Sequence, residues 1–199
     1  MNPPAAAKIW FPVPTWVWLV LVAAVLVACV TDLRNMRIPN WLTLPLLLAG
    51  LIYGAWVGSL AGVGQSVLGS AIAGGIFLAA YALAGGGAGD AKLMMALGAW
   101  LGVERSVLLV LSVTIAGFFW AVAIAVYRGG LRDVPMLVLQ SVFSARVGVA
   151  RLLGGRAPVE QRAPSDVESR FKGWYPYAPA IGAGLVGAWW YWERFGSVV

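Results

Sequence analysis

Two aspartates are the residues of this chain whose type and placement could do chemistry. Asp32 follows a long apolar stretch, and Asp90 lies between a glycine-rich stretch and another apolar one. Ionisable groups beside apolar stretches are costly, so each raises a functional question. Two carboxyl groups in close proximity cannot both ionise easily, so one keeps its proton while the other stays charged. Such a pair can accept a proton from an attacking water and polarise a peptide carbonyl.

The sequence lacks the catalytic residues that other mechanisms of peptide cleavage need. The chain has no histidine, which excludes a serine–histidine pair and an HExxH zinc site. A serine–lysine dyad would need one of three lysines, none of which lies in an evidently apolar pocket: Lys8, Lys92 and Lys172. Cys29 stands alone, so it forms neither an intramolecular disulfide nor a cysteine-built zinc site. The sequence therefore predicts aspartyl chemistry without a bound metal or cofactor.

The composition indicates an integral membrane protein. Of the 199 residues 61% are hydrophobic and 11% charged, whereas a soluble domain carries about a quarter charged residues. Eleven tryptophans agree with this interpretation, because indole rings collect at membrane interfaces. The net charge of +6 is concentrated in one segment beside the apolar stretches, which favours membrane lipids rather than nucleic acid as its partner.

The apolar stretches predict an all-α, polytopic bundle of about six membrane helices in a single domain, residues 1–199. Each stretch is compared with the roughly 20 residues that one crossing needs. The predicted helices are 10–30, 41–57, 67–83, 91–103, 106–127 and 174–192. Two crossings separate the aspartates, so both carboxyl groups reach the same side of the membrane.

Basic residues predict the orientation. Residues 128–172 contain eight of the fourteen Lys and Arg, and the part from 131 to 153 has an amphipathic pattern that could lie along the inner surface. The remainder is polar and rich in Gly and Pro, which is typical of a loop. With both chain ends outside, eleven basic residues face the cytoplasm, in agreement with the positive-inside rule. The three that face outward are Lys8, Arg105 and Arg194.

Structural roles remain open for individual residues. Asp90 after glycines is a good N-cap for the next helix, and Asp32 could merely neutralise Arg34. Asn40, after Pro39, similarly looks like the cap of the second helix. The helix 91–103 is short for a crossing, so either it begins earlier or Asp90 lies in a cavity at membrane depth, which we favour. In that case Gly87 and Gly89 permit positive φ and close approach of a substrate backbone.

Three motifs resemble those of the type IV prepilin peptidases. Gly87-Ala88-Gly89-Asp90 followed by Ala91-Lys92-Leu93 looks like the family's GxGD motif. Asp32 with Ile38-Pro39-Asn40-Trp41-Leu42-Thr43 resembles its first aspartate motif. Tyr175-Pro176-Tyr177-Ala178-Pro179-Ala180 is similar to a proline-containing helix start of the same family. The resemblance covers roughly residues 27–187.

The resemblance implies a catalytic role for Asp32 and Asp90. The substrate would be a pilin-like precursor whose short basic leader is cut after a glycine at the cytoplasmic face of the bacterial inner membrane. Lys92 resembles a lysine beside the family's motif, with lipid-phosphate contact as its simpler role. Long members carry a CxxC-containing insert and also N-methylate the new terminus. Here the first link has about ten residues and no CxxC, so methylation is in doubt.

Two other classes of function stay open at this point. A small transporter could use the same aspartates to bind protons or cations, since intramembrane carboxyl groups also mark such pathways. An internal inverted repeat would favour transport, and none is evident. A catalytically silent assembly factor of a secretion machine would need neither aspartate.

Overall fold

The regular structure is helical throughout the described part of the chain. The computed structural model describes Phe11 and the ranges 13–84, 87–128 and 176–196. The helices there are α1 (Thr15–Asn35), α2 (Asn40–Ala84), α3 (Ala88–Arg128) and α4 (Ala178–Phe195). The predicted all-α class is therefore confirmed for these residues. The predicted amphipathic segment 131–153 and the loop that follows it lie outside the described residues.

Helix α2 reverses direction at Ser59. This residue has φ 51° and ψ −137°, which no helix accommodates. The hydroxyl of Ser66 donates to the carbonyl oxygen of Gly50 at 3.3 Å, although 16 residues separate them. In a straight helix that separation would be about 24 Å. The two arms of α2 therefore lie side by side as a helical hairpin.

Helix α3 reverses in the same way at Gly102. Its φ of 71° and ψ of −175° suit glycine, and an added Cβ would lie 3.1 Å from the ring of Phe11. Ser106 Oγ donates to the carbonyl oxygen of Gly98 at 3.3 Å, where a straight helix would separate the residues by about 12 Å. With both reversals, the described helices comprise six straight segments.

Several predicted boundaries are wrong. The first helix lies five residues further on than predicted and continues through Asp32 to Asn35, so the link to α2 has four residues instead of about ten. The predicted loop from 58 to 66 is absent, because one residue, Ser59, makes the whole reversal. The short helix predicted from residue 91 begins at Ala88, which was the alternative we did not favour.

Three of the described helices are long and apolar enough to cross a membrane. The candidate spans are Thr15–Asn35, Asn40–Ala82 and Ala88–Ile124. Large apolar side chains cover much of their outer surface: Ile52 is 69% exposed and Leu60 is 90% exposed. Exposed apolar surface of this extent suits contact with lipid. The protein is thus a multi-pass helical membrane protein.

The bundle has two poles, and α1 connects them. From Trp16 to Asp32 the helix rises about 24 Å. At the aspartate pole lie the end of α1, both ends of α2, the start of α3 and the start of α4. At the arginine pole lie the start of α1, the two reversals, Arg105 and the end of α4. Each pole contains a cavity.

Candidate active site at the aspartate pole

Asp32 lies on the buried face of α1. The side chains of this helix that face the core recur at helical spacing and include Val25, Ala28 and Asp32. Asp32 is therefore 7% exposed although it belongs to the last turn. Met36 ends the helix in a left-handed conformation, and its N–H donates to the Asp32 carbonyl oxygen at 2.8 Å. The chain turns away immediately afterwards and leaves the carboxyl group facing inward.

The carboxyl group of Asp32 caps α4. The backbone N–H of Ala178 donates to Asp32 Oδ2 at 3.1 Å, and Ala178 is the first residue of α4. Tyr177, at the N-cap position, makes no side-chain capping bond of its own. A helix start carries unpaired N–H groups and partial positive charge, so a carboxylate there is favourable. This bond joins residues 146 positions apart and fixes the start of α4 beside the end of α1.

Asp90 lies in the first turn of α3 and is partly buried. The predicted N-cap position is wrong, because the helix already begins at Ala88. An added Cβ on Gly87 would meet Asp90 Oδ2, so glycine leaves room for the carboxyl group. A Cβ on Gly89 would lie 3.1 Å from Ile38 Cβ, so this glycine permits close packing on the α1–α2 link.

The expected positive φ of the GxGD glycines is not found. Among the described glycines, Gly102 alone has a positive φ. Glycine is needed at positions 87 and 89 because neighbouring atoms leave too little room for a Cβ, and not because of the backbone conformation there. The motif therefore acts through close approach: it lets the start of α3 pack against the α1–α2 link.

Asp32 and Asp90 line one cavity of about 710 Å³. Gly87 and Gly89 also line it, together with Ile38 and, on the far side, side chains of α2 and the start of α4. A volume of this size is within the range of about 300–1,000 Å³ that is usual for sites binding small molecules. The structure thus brings together four of the seven residues singled out in the sequence.

The other three residues lie beside the cavity and do not line it. The carbonyl oxygen of Pro39 accepts from the N–H of Leu42 at 3.2 Å, and Pro39 directly precedes Asn40, the first residue of α2. Lys92 Nζ donates to Asn40 Oδ1 at 2.9 Å at an exposed position. This bond ties the start of α3 to the start of α2, which gives Lys92 a contact that the sequence did not predict.

Tyr177 is a cavity residue that the sequence motifs did not identify as part of the site. Its ring centroid lies 6.0 Å from that of Phe77, and an added Cβ on Gly117 would meet its hydroxyl group. Burial, and then the negative charge of Asp90, raise the pKa of the Tyr177 hydroxyl above its ordinary value. The phenol therefore stays protonated at neutral pH. The signal was present in the motif 175–180, which we interpreted only as a helix start.

Metal binding finds no support in the described ranges. Within them, no three Cys, Asp or Glu side chains lie close enough together to hold a metal ion. The chemistry that this pole offers in those residues is that of two carboxyl groups and a protonated phenol around one cavity.

The fold and this cavity define an all-helical membrane protein with two carboxyl groups at one pole. Residues 19–122, about half of the chain, match the type IV leader peptidase family, and the chain belongs to that family. A prepilin leader peptidase/N-methyltransferase of Burkholderia pseudomallei is 40% identical over 143 residues, which is 68% of this chain and 45% of that protein. One from Pectobacterium carotovorum subsp. carotovorum is 36% identical over 134 residues, 63% of this chain and 46% of that protein.

A third relative with the same name, from Neisseria gonorrhoeae, is 33% identical over 127 residues, 57% of this chain and 44% of that protein. The chain thus spans a little under half the length of the curated relatives it matches. No solved structure matches it. Neither the family nor these relatives support the transporter interpretation.

Proposed function

We propose that the protein is an aspartyl endopeptidase that removes the short basic leader from pilin-like precursors, with Asp32 and Asp90 as its catalytic residues. The observation that carries the proposal is that both aspartates line one cavity at the ends of membrane helices. The family match supports the same activity, since the relatives are named prepilin leader peptidases. The whole chain, residues 1–199, acts as one domain in this proposal.

The chemistry needs only the two carboxyl groups and a water. One carboxylate accepts a proton from the water as its oxygen attacks the peptide carbonyl carbon. The other carboxyl group, still protonated, donates a hydrogen bond to the carbonyl oxygen, on which negative charge develops. When the tetrahedral intermediate collapses, the C–N bond breaks and the leaving nitrogen takes a proton from the pair. The cycle ends with one proton shared between the two aspartates as before.

In this proposal close packing blocks one side of the cavity, and the substrate polypeptide enters from the other side. Ile38 and Gly89 pack closely at the link between α1 and α2, so we propose that substrate does not enter between these two residues but on the side of Gly87. In this proposal the leader approaches along Gly87, which is exposed at the edge of the cavity. Lys92, Pro39 and Asn40 hold the starts of α2 and α3 in register beside it.

The six straight helical segments are proposed to be six membrane crossings with both chain ends outside. Each reversal then lies at the outer surface, and the aspartate pole faces the cytoplasm of the bacterial inner membrane. The positive-inside rule supports this orientation, because Arg34, Arg37 and Lys92 belong to the aspartate pole. Membrane lipids surround the bundle. Methylation of the new terminus is not part of the proposal, because nothing in the sequence suggests a methyl-donor site.

The test is co-expression with a candidate pilin precursor, followed by the gel shift that accompanies removal of the leader. We compare wild type with Asp32→Asn, Asp32→Ala and Asp90→Asn. Glu104→Gln is the matched control, since it removes an exposed carboxylate at the other pole. Cleavage by wild type and Glu104→Gln alone, with equal amounts of all variants in the membrane, is the expected result.

The asparagine variant at position 32 separates catalysis from capping. Its side-chain oxygen can still accept the Ala178 N–H bond, so a residue that only caps α4 would tolerate the change. Alanine removes the acceptor and would be defective in either role. Full cleavage by Asp32→Asn would therefore rule out the pair, whereas an inactive and well-inserted Asp32→Asn supports it.

A further inference from the structure

The arginine pole contains a second cavity, of about 670 Å³, which the peptidase reaction does not use. Three indole rings and one phenol line it, together with one basic and one acidic side chain: Trp16, Tyr53, Trp56, Trp192, Arg105 and Glu193. The cavity lies where α1 begins, where α3 reverses and where α4 ends. Such helix ends belong to the membrane interface, where tryptophan and tyrosine are enriched.

Arg105 is buried at this cavity without full pairing. It is 4% exposed, and its Nη1 donates to the carbonyl oxygen of Phe11 at 2.7 Å. Its guanidinium carbon lies 4.1 Å from the ring centroid of Trp192. Both of these partners are uncharged, and the buried Nε has no hydrogen-bond partner. The carboxylates of Glu104 and Glu193 interact with the charge of Arg105 through space, and neither forms a hydrogen bond with Nε. A buried N–H without a partner costs free energy, and a buried charge costs more unless an anion accompanies it.

An anionic group in the cavity would satisfy this arginine. Guanidinium groups form strong charged hydrogen bonds with phosphate oxygens, and the N–H at Nε has no other partner. The surrounding surface favours a lipid as the source of the phosphate. Trp56 is 80% exposed beside the cavity and Trp16 is 47% exposed, so acyl chains can continue from the cavity along the outside of the bundle.

The second charged side chain of the cavity indicates which headgroup fits. Glu193 is exposed and lines the same cavity, so a purely anionic headgroup would meet a like charge there. A headgroup that carries an ammonium beyond its phosphate would meet a carboxylate and indole rings, both of which attract cations. We propose that this cavity binds the headgroup of a zwitterionic aminophospholipid, with the phosphate on Arg105 and the ammonium beside Glu193.

The test is lipid binding to the purified full-length protein, measured by native mass spectrometry after delipidation in detergent. Phosphatidylethanolamine and phosphatidylglycerol are titrated separately, and water-soluble O-phosphoethanolamine is added as a competitor. For wild type we expect preferential retention of phosphatidylethanolamine and no displacement by the soluble headgroup. Arg105→Gln should lower the affinity for both lipids about tenfold or more, as expected for lost charged hydrogen bonds.

Glu193→Gln is the variant that keeps the proposal testable if Arg105→Gln fails to fold, because this side chain is exposed. It should lower the preference for phosphatidylethanolamine over phosphatidylglycerol about threefold. Arg194→Gln is its matched control, since Arg194 is exposed and adjacent but does not line the cavity. Three results would each overturn the proposal: a folded Arg105→Gln with wild-type lipid retention, an unchanged preference in Glu193→Gln, or displacement by the soluble headgroup.

Discussion

The buried ionisable side chains at the two poles of the bundle have different kinds of partners. At the aspartate pole, Asp32 accepts a hydrogen bond from a helix start and shares its cavity with a second carboxyl group. At the arginine pole, one cation lies on an indole ring within a cluster of aromatic side chains. Two like charges around a cavity favour proton exchange, whereas one cation among rings favours binding and rigidity. In our proposals the reaction takes place at the aspartate pole and lipid binding at the arginine pole.

The largest effect should come from Asp90→Asn at the aspartate pole. The change keeps the size of the side chain and removes its ability to exchange a proton. We expect kcat/KM for leader cleavage to fall about 10²- to 10⁴-fold, with an unchanged melting temperature. The measurement is cleavage of a purified precursor in detergent micelles, alongside thermal unfolding. Substantial activity in Asp90→Asn would contradict the proposal that the reaction takes place at the aspartate pole.

A smaller loss should follow from Gly87→Ala. The new Cβ would meet Asp90 Oδ2, so the carboxyl group must move. We expect kcat/KM to fall about 10- to 100-fold, because small displacements of reacting groups have large effects on rate. Gly75→Ala is the matched control, since nothing lies within 4 Å of the Cβ added there. If the two variants were equally active, the steric role of Gly87 would be excluded.

A substitution towards the arginine pole should lower the stability of the protein without lowering its activity. Trp100 is 6% exposed, and its Nε1–H donates to the Leu46 carbonyl oxygen at 2.8 Å. Its ring also stacks on Tyr53 with centroids 5.3 Å apart. Trp100→Phe should lower the free energy of unfolding by about 1–2 kcal/mol and leave kcat/KM within about twofold. A large drop in kcat/KM at full stability would show that the poles are not independent.

The smallest effect should be found between Lys92 and Asn40. Their hydrogen bond is exposed, so water competes for both groups. In a double-mutant cycle of Lys92→Met and Asn40→Ala, we expect a coupling of about 0.5 kcal/mol in the free energy of unfolding. Additive single effects would mean that the bond contributes nothing to the joint between α2 and α3.

The sequence predicted much of the aspartate pole and little of the arginine pole. Composition and the position of Asp32 and Asp90 predicted a helical membrane protein with two carboxyl groups on one side. Arg105 was counted as a charge in an outer loop, because no local pattern shows that a reversal at Gly102 turns it inward. The burial depends on Phe11 and Trp192, which are distant in the chain.

The sequence predicted both changes of direction, but it did not predict how sharp they are or at which residue each occurs. Gly, Ser and Gln residues in 58–66, and Glu104 and Arg105 after Gly102, indicated loops. The structure instead reverses each chain direction at a single non-helical residue, Ser59 or Gly102, and continues as helix directly afterwards. The contact of Ala178 with Asp32 is a tertiary one, and the sequence offered only a proline-containing motif near it. Tyr177 was missed as a cavity residue for the same reason.

The bond between Asp32 and Ala178 has a consequence for biosynthesis. Translation proceeds at about 5–20 residues per second, so the 146 residues between them take roughly 7–30 s to follow. During that interval Asp32 lacks the helix start that it caps. The arrangement of side chains at the aspartate pole is therefore complete only after α4 has been synthesised, late in the production of the chain.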